Sequence, residues 1–202
     1  IPGAPKHLQE FIDAIIINAG DGAHEHPTQA ILDMVSLHEK FNRLKGLKIG
    51  IVGDIAHSRV ALSNIYGLTT MGAKVMLCGP PNLIPKHMVD LNVDSSSNID
   101  EIIEWADALN ILRIQKERMG LTLVPSKREY RATFGITKER MEKHKKEIVI
   151  MHPGPMNRGV EIDGFVADSD QAIILDQVLN GVASRMAVLY LLCGGKSRDG
   201  DS

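Results

Sequence analysis

The sequence predicts an α/β protein built on a doubly wound, mainly parallel sheet that helices cover on both faces. One observation is alternation, because short apolar runs of the buried-strand type are separated by segments with helical spacing. Another is composition, since 202 residues with 44% hydrophobic and 24% charged side chains suffice for a substantial core. In addition, polar stretches follow the predicted strands at their carboxyl ends, where ligands bind in folds of this class.

The predicted elements follow one another in a regular order. Strands are expected at 14–18, 48–52, 74–78, 109–113 and 147–151. The helices between and after them are expected to begin at Pro27 and to occupy 58–71, 85–91, 98–106, 138–146 and 172–192. The charged segment 115–130 has no clear periodicity and is predicted to be a long loop.

The stretch 18–29 carries the densest chemistry, at the junction of the first predicted strand and helix. Pro27 suits a first helical turn, so His26 is predicted to cap the helix, with Gln29 three residues on. Both side chains then lie beside free backbone amides at the positive end of the helix dipole, which suits an anion. Because that dipole disfavours imidazolium, His26 is expected to be neutral and able to donate to a polarised carbonyl oxygen. A plain His-Pro cap with a solvated glutamine is the alternative that this stretch leaves open.

Three further polar stretches follow strands at the same edge. Arg59 falls in a first helical turn, where its charge opposes the dipole, so a bound carboxylate would relieve a local cost. Arg113 and Gln115 point to one side of a strand end and suit recognition of a small carboxylate substrate. Gly154 and Pro155 lie in a rigid loop whose backbone carbonyls can accept hydrogen bonds from a substrate amide. Solvated arginines and an ordinary turn are the alternatives here.

Composition and spacing also exclude several classes of function. A net charge of −2 argues against nucleic acid or an anionic membrane surface as a partner, and no apolar run is long enough to span a bilayer. Two distant cysteines fit a reducing cytoplasm and give no disulfide or zinc framework. His24 and His26 lack further ligands for a metal, so none is expected. Gly50 and Gly53 do not have the spacing of a dinucleotide-binding turn.

The motif His26-Pro27-Thr28-Gln29, preceded by Asn18-Ala19-Gly20-Asp21-Gly22, resembles the carbamoyl-phosphate motif of the aspartate and ornithine carbamoyltransferases, in its aspartate-type form. Three more segments match this family in order, namely Gly53-Asp54 through His57-Ser58-Arg59, Arg113 through Arg118, and His152-Pro153-Gly154-Pro155-Met156-Asn157-Arg158-Gly159. The resemblance covers residues 1 to about 192. An ornithine-type enzyme is the nearest alternative, but that type usually carries Cys-Leu-Pro after the histidine.

The resemblance implies transfer of a carbamoyl group from carbamoyl phosphate to L-aspartate, a step of pyrimidine biosynthesis that uses no cofactor. The roles it implies are contact with the carbamoyl group by His26 and Gln29 and by the backbone of Gly154 and Pro155, and binding of the aspartate carboxylates by Arg59, Arg113 and Gln115. It also implies a cytoplasmic homotrimer with shared active sites, for which a regulatory chain or dihydroorotase is a conceivable partner. Another acidic amine as acceptor, or a non-catalytic scaffold, are the alternatives.

The resemblance further divides the chain into three parts. Residues 1–27 are expected to end a carbamoyl-phosphate domain, 28–170 to form an aspartate-binding domain, and 171–202 to provide a last helix that returns to the first domain. The family's earlier Ser-Thr-Arg-Thr phosphate cradle is not in this sequence. The 202-residue chain alone is therefore expected to turn over poorly, with the apolar face of 173–192 exposed.

Overall fold

A single sheet of parallel strands organises the protein, whose computed structural model describes residues 2–85, 91, 93–114 and 126–194. Its strands are β1 (Lys48–Val52), β2 (Lys74–Cys78), β3 (Asp94–Ser96), β4 (Ala108–Ile111) and β5 (Val149–Met151). They lie in the order β3-β2-β1-β4-β5, and every neighbouring pair is parallel. The predicted fold class is therefore confirmed.

Helices precede, connect and follow these strands. They are α1 (Ala4–Gln9), α2 (Pro27–Phe41), α3 (Arg59–Thr70), α4 (Ile99–Trp105), α5 (Lys127–Phe134), α6 (Lys138–His144), α7 (Gly164–Ala167) and α8 (Ile174–Cys193). Four of them begin where a side-chain oxygen accepts a backbone N–H of the first turn, and three of these four begin after Ser58, Asn98 and Thr137. These starts agree with the sequence prediction.

Two apolar clusters pack on opposite faces of the sheet. The one on the side of α4 and α5 includes Ile102, Ile103, Leu109, Ile111 and Tyr130. The one on the side of α2 and α3 includes Leu37, Ile49, Ile51, Ile65 and Leu77. Because β1 and β4 lie between the clusters, they are buried on both faces, as central parallel strands are, and Asn110 is the one buried polar residue of β4.

The predicted first strand, 14–18, is wrong. These residues are irregular, and Ile15 is 55% exposed. An apolar run becomes a strand only where a neighbour supplies hydrogen bonds, and none of the described strands lies beside this one. The sheet has five strands because it includes β3 (Asp94–Ser96) instead. The sequence analysis missed β3 because its polar residues have low strand propensity.

Two other predictions fall partly on residues that the structure does not describe. The predicted loop 115–130 is wrong at its end, because α5 begins at Lys127 after Ser126 accepts the Glu129 N–H; residues 115–125 lie outside the described ranges. Most of the predicted short helix 85–91 also lies outside them, at 86–90.

Helix α8 packs on α2 through its polar side. Gln177, Asn180 and Ser184 are buried there, whereas Leu175 is 83% exposed and Leu179 is 69% exposed. The predicted exposure of apolar residues along this helix is thus confirmed. None of the helices in the described ranges is long and apolar enough to cross a membrane.

Candidate active site

A cavity of about 400 Å³ opens at the carboxyl ends of β1, β4 and β5. Its lining includes six of the seven residues singled out from the sequence, namely His26, Gln29, Arg59, Arg113, Gly154 and Pro155. Gln115, the seventh, lies outside the described residues. The predicted convergence of these stretches at one edge is therefore confirmed, whereas their roles in binding stay predictions.

His26 precedes α2 and is held from both sides. Its backbone N–H donates to Oγ of Ser63 at 2.8 Å, and its Nδ1 lies 3.3 Å from Oγ1 of Thr28. Burial lowers the pKa of His26 from 6.5 to about 4, with further lowering by the positive charges of Arg59 and Arg185. The imidazole is therefore neutral at pH 7, as predicted. The largest cause of its lowered pKa is burial, whereas the sequence analysis had named the helix dipole.

Arg59 is the first residue of α3, and its guanidinium lies against the backbone of Gly20. A Cβ atom on Gly20 would lie 2.7 Å from Nη1 of Arg59, and Gly20 has φ of +134°. Only glycine satisfies both conditions without strain. The polypeptide before α2 is thus shaped to let this guanidinium approach the cavity.

Arg113 follows β4 and is half-buried at the cavity wall. Within the described ranges, neither Arg113 nor Arg59 forms an ion pair with an acidic side chain. Asp54, which also lines the cavity, accepts from the backbone N–H of His57 at 3.2 Å and contacts its Nδ1 at 2.8 Å. Asp54 therefore holds the turn that leads to His57, and in the part of the chain that the structure describes the two guanidinium groups at the cavity have no acidic ion-pair partner.

The loop after β5 is anchored by a buried histidine. The N–H of His152 donates to Oε1 of Gln177 at 2.9 Å, and its Nδ1 accepts the Gly154 N–H at 2.9 Å. Because Nδ1 accepts, Nε2 carries the ring N–H, and it lies 3.5 Å from Oε1 of the buried Glu161. Gly154 has φ of +68°. The backbone that forms this wall of the cavity is therefore fixed from within the protein.

The sequence analysis missed two residues that act on the site. Asp33 is fully buried and accepts from Gln29, and burial raises its pKa while its amide hydrogen bonds oppose that rise. Arg185 lies on α8 beside a cavity of about 240 Å³ that shares Gln29 and Gly154 with the first one. Neither residue has a local motif, since their neighbours come from distant parts of the chain. In the described residues no cluster of three His, Cys, Asp or Glu side chains is placed to hold a metal.

A sequence model described as "Aspartate/ornithine carbamoyltransferase, Asp/Orn binding domain" matches residues 45–192. The chain belongs to the aspartate/ornithine carbamoyltransferase family. The aspartate carbamoyltransferase catalytic subunit of Christiangramia forsetii is 59% identical over 191 residues, which are 95% of this chain and 62% of that subunit. The corresponding subunit of Gemmatimonas aurantiaca is 54% identical over 200 residues, 99% of this chain and 63% of that subunit. The chain thus spans less than two thirds of the length of these curated relatives.

Solved structures of this family agree with the fold. The catalytic subunit of M. jannaschii aspartate transcarbamoylase has a TM-score of 0.80 at 33% identity, covering 100% of this chain and 66% of that chain. The Trypanosoma cruzi enzyme in complex with N-(phosphonacetyl)-L-aspartic acid has a TM-score of 0.81 at 29% identity, covering 93% and 62%. The parallel sheet and its helices are thus those of the carbamoyltransferase family.

Proposed function

We propose that this chain provides the aspartate-binding part of an aspartate carbamoyltransferase, which transfers the carbamoyl group of carbamoyl phosphate to L-aspartate. The products are N-carbamoyl-L-aspartate and phosphate, in pyrimidine biosynthesis. The observation that carries this proposal is one cavity lined by a neutral histidine, a glutamine and two arginines that have no acidic partner among the described residues. Carbamoyl phosphate already contains a good leaving group, so positioning and electrostatic stabilisation suffice for the reaction.

His26 is assigned to the carbonyl oxygen of the carbamoyl group. With the Thr28 hydroxyl donating to Nδ1, the ring proton lies on Nε2 and is available to the carbonyl oxygen. Negative charge develops on that oxygen as the amine attacks, so a donor placed there stabilises the transition state more than the substrate. A neutral imidazole performs this role without transferring its own proton, and the departing phosphate takes the amine proton.

Arg59 and Arg113 are assigned to the two carboxylates of aspartate. The substrate is a dianion, and each planar guanidinium can hold one carboxylate through paired hydrogen bonds. Because both arginines lack an acidic partner among the described residues, substrate carboxylates need not displace one. Gln115 is proposed as a further aspartate ligand on the family resemblance.

The carbamoyl NH₂ group is assigned to acceptors on the opposite wall. Gln29 and the backbone of Gly154 and Pro155 line the cavity there. The buried His152 holds this loop through the Gly154 N–H, so its carbonyl groups are fixed before substrate arrives. Such preorganisation is what a positional mechanism requires.

Assembly and location are part of the same proposal. The division at residues 27 and 170, a cytoplasmic homotrimer with shared sites, and association with a regulatory chain or dihydroorotase are proposed from the family resemblance. The exposed apolar side of α8, with Leu175, Leu179 and Met186, supports a further region packing on this helix in the complete protein.

The decisive experiment measures carbamoyl aspartate formation by the full native chain carrying this sequence, with ornithine as the control acceptor. We expect product with aspartate and none with ornithine. Product with ornithine alone would replace the proposal by an ornithine-type activity, and no product with either acceptor would favour a scaffold. The 202-residue chain assayed in parallel is expected to be poorly active.

A further inference from the structure

Asp33 lies in α2, one helical turn after Gln29, and is outside the lining of the cavity. It is fully buried, and its two oxygens accept four side-chain N–H groups, one each from α2, α3, β4 and α8. The donors are Gln29 Nε2 at 3.0 Å and Gln177 Nε2 at 2.8 Å on Oδ1, and Asn64 Nδ2 at 2.8 Å and Asn110 Nδ2 at 3.2 Å on Oδ2. A carboxylate is the side chain that can accept from all four.

The directions of two of the four amides in this network follow from their other partners. The backbone N–H of His152 can only donate, so Gln177 presents Oε1 to it and Nε2 to Asp33. The amide of Asn64 is fixed in the same way, because its Nδ2 also donates to the carbonyl oxygen of Val60 at 3.1 Å. Asp33 therefore receives a fixed donor on each oxygen, from Gln177 on Oδ1 and from Asn64 on Oδ2.

Gln29 is the member of this network that reaches the cavity. Since its Nε2 donates to Asp33, the amide end left for a ligand is the acceptor Oε1. A second branch of the network leads to the loop after β5, where Gln177 holds His152, which in turn holds the Gly154 N–H. One buried carboxylate is thus joined by hydrogen bonds to both Gln29 and the Gly154 loop.

We propose that Asp33 is a positioning residue that fixes the Gln29 amide with its oxygen towards the cavity, so that the site selects an acyl phosphate bearing an N–H group. The inference rests on the proposed function and adds a determinant of its substrate choice. An NH₂ group on the acyl carbon satisfies Oε1 of Gln29, whereas a methyl group of similar size leaves that oxygen without a partner. Carbamoyl phosphate and acetyl phosphate differ by this exchange.

The positioning is tested without any reaction. In the free protein, the side-chain NH₂ protons of Gln29 are expected to exchange with solvent at least tenfold more slowly than those of the exposed Gln9, as followed by nitrogen-15 NMR. Equal exchange rates would show that Asp33 does not hold the amide and would overturn the proposal.

The selectivity is tested by the ratio of kcat/KM for carbamoyl phosphate to that for acetyl phosphate, with aspartate as acceptor, in the full native chain. Asp33→Ala should lower this ratio about tenfold, the value of one hydrogen bond. Asn110→Ala is the control, because it removes a donor from the other oxygen of Asp33 and leaves Gln29 bound. An unchanged ratio in Asp33→Ala, or an equal fall in the control, would overturn the selectivity.

Two outcomes separate this inference from the proposed function. If the wild-type chain forms no carbamoyl aspartate, the proposed function fails, while the exchange rates of Gln29 still decide whether Asp33 positions it. If Asp33→Ala does not fold, Gln29→Leu takes its place in the selectivity assay, since it removes Oε1 itself. A ratio unchanged by Gln29→Leu would then refute selection through this amide.

Discussion

Replacing Arg113 by alanine tests the assignment of the aspartate carboxylates. Arg113 is half-buried at the cavity wall and has no acidic partner among the described residues, so its guanidinium is available to the substrate. Hydrogen bonds to a charged group contribute about 1.5–3 kcal/mol, and each 1.4 kcal/mol is tenfold in rate or affinity. Loss of a paired contact worth about 3 kcal/mol should lower kcat/KM for aspartate about 100-fold.

The assay compares kcat/KM for aspartate with the KM for carbamoyl phosphate, which should change little. Arg113→Lys keeps the charge but loses the planar fork and should lie between the wild type and Arg113→Ala. Arg158→Ala is the matched control, because Arg158 pairs with Asp168 at 2.6 Å on the surface and does not line the cavity. Equal losses for both substrates, or an Arg158 variant as impaired as Arg113→Ala, would refute the reasoning.

Three further outcomes follow from His26 and Gly20. His26→Ala should lower kcat about 100-fold or more with little change in the KM for aspartate, and unchanged turnover would exclude the polarising role. The pKa of His26 is about 4 in the folded protein and 6.5 for an ordinary histidine, so NMR of the His26 ring should show one titration step near pH 4. The free energy of unfolding should fall as the pH drops from 6.5 towards 4, because the unfolded chain takes up the proton first. A titration step near pH 6.5 would contradict this. Gly20→Ala should raise the KM for aspartate by displacing Arg59, whereas Gly3→Ala, also at positive φ but with no atom within 4 Å, should not.

The sequence predicted the site well wherever its signals are local. A proline after His26, a strand before Arg113 and a serine before Arg59 each mark an element boundary within a few residues. In a parallel sheet such boundaries at the carboxyl ends of strands meet at one edge, so the predicted strands were enough to bring Arg59, Arg113 and Gly154 together, whereas His26 follows an irregular segment. Strand pairing is not local, which explains why 14–18 was wrongly assigned and Asp94–Ser96 was missed.

Asp33 shows what lies beyond such reasoning. Its partners are 4, 31, 77 and 144 residues away in the chain, so no window of sequence contains the network. Read locally, Asp33 is an ordinary polar residue of an amphipathic helix and would be placed towards solvent. Only the packing of α2 against α3, α8 and the end of β4 makes Asp33 the acceptor of four amides.

The same network explains the orientation of α8. A periodicity rule would turn its apolar side inward, yet the structure buries Gln177 and Asn180 and exposes Leu175 and Leu179. Gln177 donates to Asp33 at 2.8 Å and Asn180 to Oγ of Ser36 at 3.0 Å, so each buried amide has a partner on α2. Rotating the helix would separate both amides from their partners on α2 and remove one of the four donors of Asp33, and lost hydrogen bonds to buried polar groups are costly. Hydrogen bonding to α2 therefore sets the rotation of α8, and the apolar side of α8 remains available for the further region that we propose packs on it.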